Sequence, residues 1–359
     1  MEDRTLRNED FSLDDEQVAL REAFGAFFTK ECQTTVVRAA EPHGFDPELW
    51  GRLMGLGVTT MGIPEARGGD GAGLVELALA AEEYGRALAP VPMIETIVAA
   101  RVLAGASNDA QPWLHDQISG ERIISVALQR ATDSQRQLVP AGAISDAIIA
   151  LHDQSLVLIA DSGAHPQVAN QACAPLAWWT PADEHEVGLV IAEGSEAETL
   201  WQRALLEWKL LTAAALVGLS DAVLSQAVGY ARARHAFGVP IGSFQAVSHP
   251  LVDVHIGVQG ARRLAWKAAW FAENEPQQAD RLALMAWVHA ADVATHAAAT
   301  CLHTHGGVAF TTESDIQLFF RRAKGWATIA GDPRRELQNL ADVLLRQMVR
   351  NPDVKERLR

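Results

Sequence analysis

Cysteine is nearly absent from this chain of 359 residues, which has only Cys32, Cys173 and Cys301. They are scattered and have no Cys-x-x-Cys spacing. That excludes a disulfide framework and a cysteine zinc site, and it fits a reducing, cytoplasmic setting. Positive charge is scarce too: 30 lysines and arginines face 45 aspartates and glutamates, a net charge of −15. Phosphate backbones need a basic field, so nucleic acid is excluded as a partner. Apolar runs are short, and none reaches the roughly 18 residues that a membrane span requires. The first residues, MEDRTLRNEDFSLDDEQ, lack an apolar centre and do not read as a signal peptide. No internal repeat or low-complexity tract stands out.

What is present is the composition of a large-cored globular protein: 48% hydrophobic, 21% charged, mean hydropathy +0.01. Three zones follow one another, which predicts domains at 1–120, 121–202 and 203–359. The first reads as helices. SLDDEQVALREAFGAFFTKEC offers Ser12 as an N-cap, and Phe24, Phe27 and Phe28 lie on one helical face. FDPELWGRLMGLG, LVELALAAEEYGRALA and PMIETIVAARVLAGA give three more helices. The second zone has the short β-rich runs RIISVAL, SDAIIAL, SLVLIAD and EVGLVIA, with His152-Asp153-Gln154 as a hairpin turn. Trp178 and Trp179 read as packing residues or an interface patch. The third zone is helical, with segments predicted at 203–235, 243–274, 277–304, 313–328 and 333–349. Frequent alanine in the first three lets helices approach closely.

One break in this zone demands an explanation. RHAFGVPIGSFQAVSHPLVDV interrupts a helical run with Gly238 and Pro240, both poor helix residues, and then resumes another helix. The stretch resembles the Arg-x-x-Phe-Gly…Phe-Gln…His segment of flavin acyl-CoA dehydrogenases. A second stretch, LHTHGGVAFTTESDIQLFFRRAK, is similar to that family's Gln-x-x-Gly-Gly-x-Gly-Phe-Thr…Arg segment. FDPELWGRLMGLGVTTMGIPEARGGDGAGLVELALAAEEYGRALAP has the family's Leu-Gly…Pro-Glu…Gly-Gly…Glu-Glu-x-Gly rhythm. The resemblance covers most of the chain. It implies a mainly α fold: an N-terminal helical domain, a central β-barrel-like domain and a C-terminal four-helix bundle.

The resemblance also implies FAD. Arg234 would meet its pyrophosphate, for which a planar guanidinium fork is suited. Phe237 and Gln245 would contact the cofactor, and His303, Gly306 and Gly307 would lie along its adenosine half, where missing Cβ atoms permit close approach. Taken singly, Arg234 is equally a cation at a helix C-terminus and the glycines a C-cap. The two motifs in order favour the cofactor reading.

The family's reaction takes the α-proton of an acyl-CoA with a carboxylate, while a hydride leaves the β-carbon. At one usual position of that base this chain has Ala330, followed by Gly331 and Asp332. At the other, on the helix before the corner, it has Trp208. Glu207 is one residue away, about 100° around a helix, and reads more simply as a solvated acid at a helix start. The Thr-Glu-Pro…Gly-Ser-Asp run that holds the flavin ring is missing from SVALQRATDSQRQLVPAGAISD. His303 stands where the family shows Gln, and Asp332 where it shows Thr.

These residues describe a chain that keeps the half of the site donated to a neighbour's flavin and lacks the ring-holding half. The expectation is the smaller, non-basic subunit of a heteromeric, α2β2 acyl-CoA dehydrogenase, as found in bacterial steroid side-chain degradation. Its partners would be an acyl-CoA, a homologous larger subunit and an electron-transfer flavoprotein. Two alternatives stay open: a self-sufficient homo-oligomer using Glu207, and a non-catalytic scaffold without FAD. His303 and His305 lack a third ligand at metal spacing, so no metal site is expected. His249 reads as structural or near the cofactor, Glu313 and Asp315 as acids serving a helix N-terminus, and Arg321 and Arg322 as partners of acids across the bundle. Cys301 lies in a buried-type helix and should be inert.

Overall fold

The computed structural model describes residues 10–350 except 132–135, 161–162, 164 and 181–187, with backbone only at 343 and 346–350. The first nine residues and parts of the second zone, including the centre of the shortened stretch, thus lie outside the described residues.

Six helices come first: α1 (Asp15–Glu31), α2 (Thr34–Ala39), α3 (Pro47–Met54), α4 (Leu74–Ala87), α5 (Met93–Gly105) and α6 (Gln111–Ser119). The N-cap of α1 is Asp14, not Ser12. Its carboxylate accepts from Gln17 N while the Gln17 side chain accepts from Asp14 N, a reciprocal capping box. Ser12 instead donates to Asp10. Phe24 and Phe28 are buried, as the spacing predicts.

The β unit follows, with β1 (Ile124–Val126), β2 (Gln137–Val139), β3 (Ala147–His152), β4 (Ser155–Ala160), β5 (Ala177–Trp179) and β6 (Leu189–Glu193). One sheet runs β1-β3-β4-β6 and a second pairs β2 with β5. The β3–β4 hairpin turns at Asp153, in the left-handed region with φ 50°. All six residues of β3 are buried because both its faces are covered. Ile149 and Leu151 join the main core, while Ile148 and Ala150 join a small second core with Val139, Val157 and Trp179. Trp179 stacks on His165, and Trp178 is half-exposed.

The helical bundle consists of α7 (Gly194–Ala233), α8 (Gln245–Asn274), α9 (Ala279–His305), α10 (Ile316–Trp326) and α11 (Pro333–Arg350). Helix α7 starts at Gly194, well before the expected 203. Its first turns, GSEAETLWQ, read as a loop because they are polar. They are held by Trp201, which is buried and donates Nε1–H to Ala127 O at 3.2 Å. By composition α7 also contains an 18-residue window apolar enough to cross a membrane, contrary to the count of apolar runs, but 72% of that window is buried inside the protein. It is the central helix of the core. Helices α4 and α7 cross at glycines: a Cβ on Gly85 would stand 1.9 Å from Ala215 O, and one on Gly218 1.8 Å from Glu82 O. Only glycine allows backbones this close. One hydrophobic cluster therefore runs from Phe24 to Ala327, through the N-terminal helices and the bundle.

Candidate functional site

The corner between α7 and α8 is a two-stranded hairpin, β7 (His235–Ala236) with β8 (Val239–Pro240). Its two-residue turn is Phe237-Gly238, with φ of 52° and 83°. Such a turn favours Asn-Gly, and a bulky residue with positive φ is strained by about 1–2 kcal/mol. Phe237 recovers nothing by burial, being 96% exposed.

Arg234 is the C-cap of α7. Its backbone is fixed, N–H donating to Tyr230 O and O accepting from Ile241 N, both at 2.8 Å. Its guanidinium is exposed and has no ion pair or hydrogen bond among the described residues. Gln245, exposed, opens α8, whose N-terminus has no side-chain cap. Between residues 232 and 256 stand Arg232, Arg234, His235, His249 and His255 against the single acid Asp253. The two arginines outnumber the one acid, so this segment of an acidic chain is locally not acidic. His249 is exposed on α8.

The second motif meets the first here. His305, in the last turn of α9, stacks on Tyr230 with ring centroids 4.4 Å apart, and its Nδ1–H donates to Cys301 O at 2.8 Å. Gly306 follows with φ 66° and ψ −150°, a conformation only glycine adopts comfortably. A Cβ on Gly306 or Gly307 would meet nothing within 4 Å, so internal packing does not require these glycines. His303 is exposed beside them. Arg234, Phe237, Gln245, His303, Gly306 and Gly307 thus flank one end of the bundle. Val239, Phe244, Val308 and Phe310 are also exposed there, and an apolar groove of about 610 Å³ lies alongside between α7 and α8. An exposed guanidinium and open glycines suit a dinucleotide's pyrophosphate and close backbone approach. They form an exposed ridge at that end.

The two positions expected to carry a base lead elsewhere, to one narrow cavity. Trp208 lines it, and so does Ile329, the neighbour of Ala330. The cavity is about 50 Å³. Glu95, which the sequence reading did not consider, also lines it. Its carboxylate receives Trp208 Nε1–H at 3.4 Å, and burial pushes its pKa up. The signal was legible: Glu95 is the one acid in a mostly apolar helical run. Thr212 Oγ1, fully covered at the same cavity, has no partner among the described residues.

Glu207 points away, into a cleft between α7 and the start of α9. It is not a solvated acid. Only 2% exposed, it is held by Arg101 at 2.8 and 3.1 Å and by Arg203 at 2.7 Å. The one-residue offset from Trp208 is the rotation that separates the two environments. Asp332 accepts from Arg334 N at 3.0 Å and caps α11, with Pro333 in the first turn. Asp315 does not serve its own helix: Arg38 and Thr34 of α2 take its carboxylate at 2.7 Å. Arg321 and Arg322 pair with Glu41, which follows α2, rather than within the bundle. Cys301 is buried and its thiol is pushed up to about 12 by burial, which makes it unreactive.

Comparison with known proteins matches residues 14–121 to the family model for the acyl-CoA dehydrogenase N-terminal domain and residues 199–345 to that for the acyl-CoA dehydrogenase C-terminal domain. The chain is 30% identical over 331 residues to acyl-CoA dehydrogenase IpdE2 of Mycolicibacterium smegmatis, covering 91% of this chain and 98% of that protein. It is 31% identical over 332 residues to acyl-CoA dehydrogenase IpdE2 of Mycobacterium tuberculosis, covering 91% and 96%. Among solved structures, a chain of the ChsE4-ChsE5 complex from Mycobacterium tuberculosis superposes with a TM-score of 0.82 at 28% identity, covering 94% of this chain and 99% of that one.

Proposed function

This chain belongs to the acyl-CoA dehydrogenase family, and we propose that it is the non-basic subunit of a heteromeric acyl-CoA dehydrogenase. A homologous larger subunit supplies the catalytic carboxylate and the pocket for the flavin ring. The observation that carries this reading is the outward ridge: Arg234 has no partner among the described residues, and Phe237 is strained and 96% exposed. A side chain so placed serves a neighbour. The lack of a carboxylate at 330 and 208, and the ion pairs that hold Glu207, support the same conclusion. So does the likeness to a chain from a complex of two named components.

Arg234 would hold the FAD pyrophosphate with paired N–H donors. Gln245 and the uncapped start of α8 would add donors, and Gly306 and Gly307 would let the backbone lie against the adenosine half. His303 would border that half. FAD, when bound, would supply the acceptor for the hydride that leaves the β-carbon of the acyl-CoA, with an electron-transfer flavoprotein as the expected onward acceptor. The product is a trans-enoyl-CoA. A steroid side-chain CoA, part of cytoplasmic lipid metabolism, is the substrate we infer from the resemblance.

The test is to purify the chain alone and together with a co-expressed homologous subunit, then measure mass and flavin absorbance. Flavin is expected in the complex and not in the single chain. Full stoichiometric FAD with turnover in the homomeric protein would overturn the proposal. A complex that holds no flavin would instead show a scaffold.

A further inference from the structure

The narrow cavity lined by Trp208 and Ile329 lies at the two positions that the resemblance gives to a base. We propose that α10 closes this chain's own acyl cleft from within, using Trp326 and Arg322 as its plug. The idea rests on the functional reading above and deepens it: the chain lacks room for an acyl group as well as a base.

Trp326 and Arg322 are four residues apart and so lie on one face of α10. Both are buried and both line the cavity. Trp326 stacks on Tyr84 of α4 with centroids 5.5 Å apart and an interplanar angle of 13°. Arg322, 3% exposed, donates to Glu41 at 3.0 Å, which fixes its stem along the cavity wall. Between them Gly325 is pressed onto the β unit, where an added Cβ would stand 2.1 Å from Ala172 Cβ. Stacking, ion pair and glycine contact hold α10 in this position independently.

The space left is about 50 Å³. Pockets for ligands of this size run to roughly 300 Å³ or more, whereas a water needs only about 10–15 Å³. The remaining lining fits water. Thr212 Oγ1 is covered and unpartnered, and Glu95 has one long hydrogen bond. Buried polar groups of this kind take a water and repel a methylene chain.

The experiment uses the full chain with three probes: octanoyl-CoA, coenzyme A and indole, each read by thermal shift and calorimetry. Wild type is expected to bind none. Trp326→Ala is expected to melt lower, to regain several degrees with indole, and to bind octanoyl-CoA but not coenzyme A. Trp326→Leu, which keeps an apolar contact with Tyr84, provides the same comparison should the alanine variant fail to fold. Octanoyl-CoA binding to wild type would overturn the proposal, since the cleft would then be open. Rescue by indole without octanoyl-CoA binding would also overturn it, since Trp326 would then fill an ordinary core void. Flavin content of the co-purified complex is measured in parallel. Its absence in wild type would defeat the functional reading and leave the closure untouched.

Discussion

Replacing Arg234 with alanine separates a side chain that serves a cofactor from one that merely ends a helix. The guanidinium is exposed and has no partner among the described residues, and the backbone bonds to Tyr230 and Ile241 are kept by alanine. The isolated chain should therefore unfold within about 0.5 kcal/mol of wild type, as surface substitutions do. Flavin affinity in the assembled complex should fall much more. A hydrogen bond to a charged group contributes about 1.5–3 kcal/mol, and at about 1.4 kcal/mol per decade that is a ten- to hundred-fold weaker FAD. Arg234→Lys keeps the charge and loses the fork, so it should fall between. The contact lies at the surface, so the effect should shrink as salt is raised. The assay is FAD titration of the stripped complex, followed by flavin fluorescence at two ionic strengths. Unchanged affinity in the alanine variant would refute the reasoning. A large loss of stability in the isolated chain would refute it too, by showing that Arg234 works inside its own fold.

Three further outcomes are expected. Glu207→Gln leaves Arg101, 9% exposed in its side chain, facing a neutral group, with only Glu273 at 3.6 Å to compensate. Chemical denaturation should show a loss of about 3 kcal/mol, while turnover per folded flavin complex stays unchanged. Turnover lost by orders of magnitude would restore Glu207 as a base. Phe237→Asn places a residue that tolerates positive φ in the Asn-Gly turn. The isolated chain should melt no lower than wild type, and the heteromeric complex should dissociate more readily by sedimentation. Glu95 has its pKa raised by burial, so between its unfolded and folded pKa values the native state binds more protons than the unfolded one. Its contribution to stability therefore falls as pH rises through that window, and Glu95→Gln should flatten the decline of melting temperature above pH 5. A steeper decline in the variant would contradict the assignment.

Much of this arrangement was legible in the residues. Apolar spacing located α1, and the short β-rich runs located β3 and β4, because each of these elements satisfies a local rule. The corner was legible because Gly238 and Pro240 break propensity so plainly. Other features depended on distant partners. The start of α7 reads as a loop until Trp201 is seen bonded to Ala127 across the β unit. Glu207 looked solvated because Arg101, far off in sequence, supplies its counter-charge. Asp315 and Arg322 answer to Arg38 and Glu41, pairings that no spacing announces. The closed cavity was out of reach for the same reason: its walls come from α4, α5, α7 and α10 together.

The glycine crossing of α4 over α7 bears on how the protein is made. Gly85 finds the backbone of Ala215 only after the whole β unit has left the ribosome. Until then α4 exposes an apolar flank meant for a helix that does not yet exist. Truncation after the first zone should yield a sticky fragment and not a separable domain. Synthesis of this chain should lean on a chaperone during that interval.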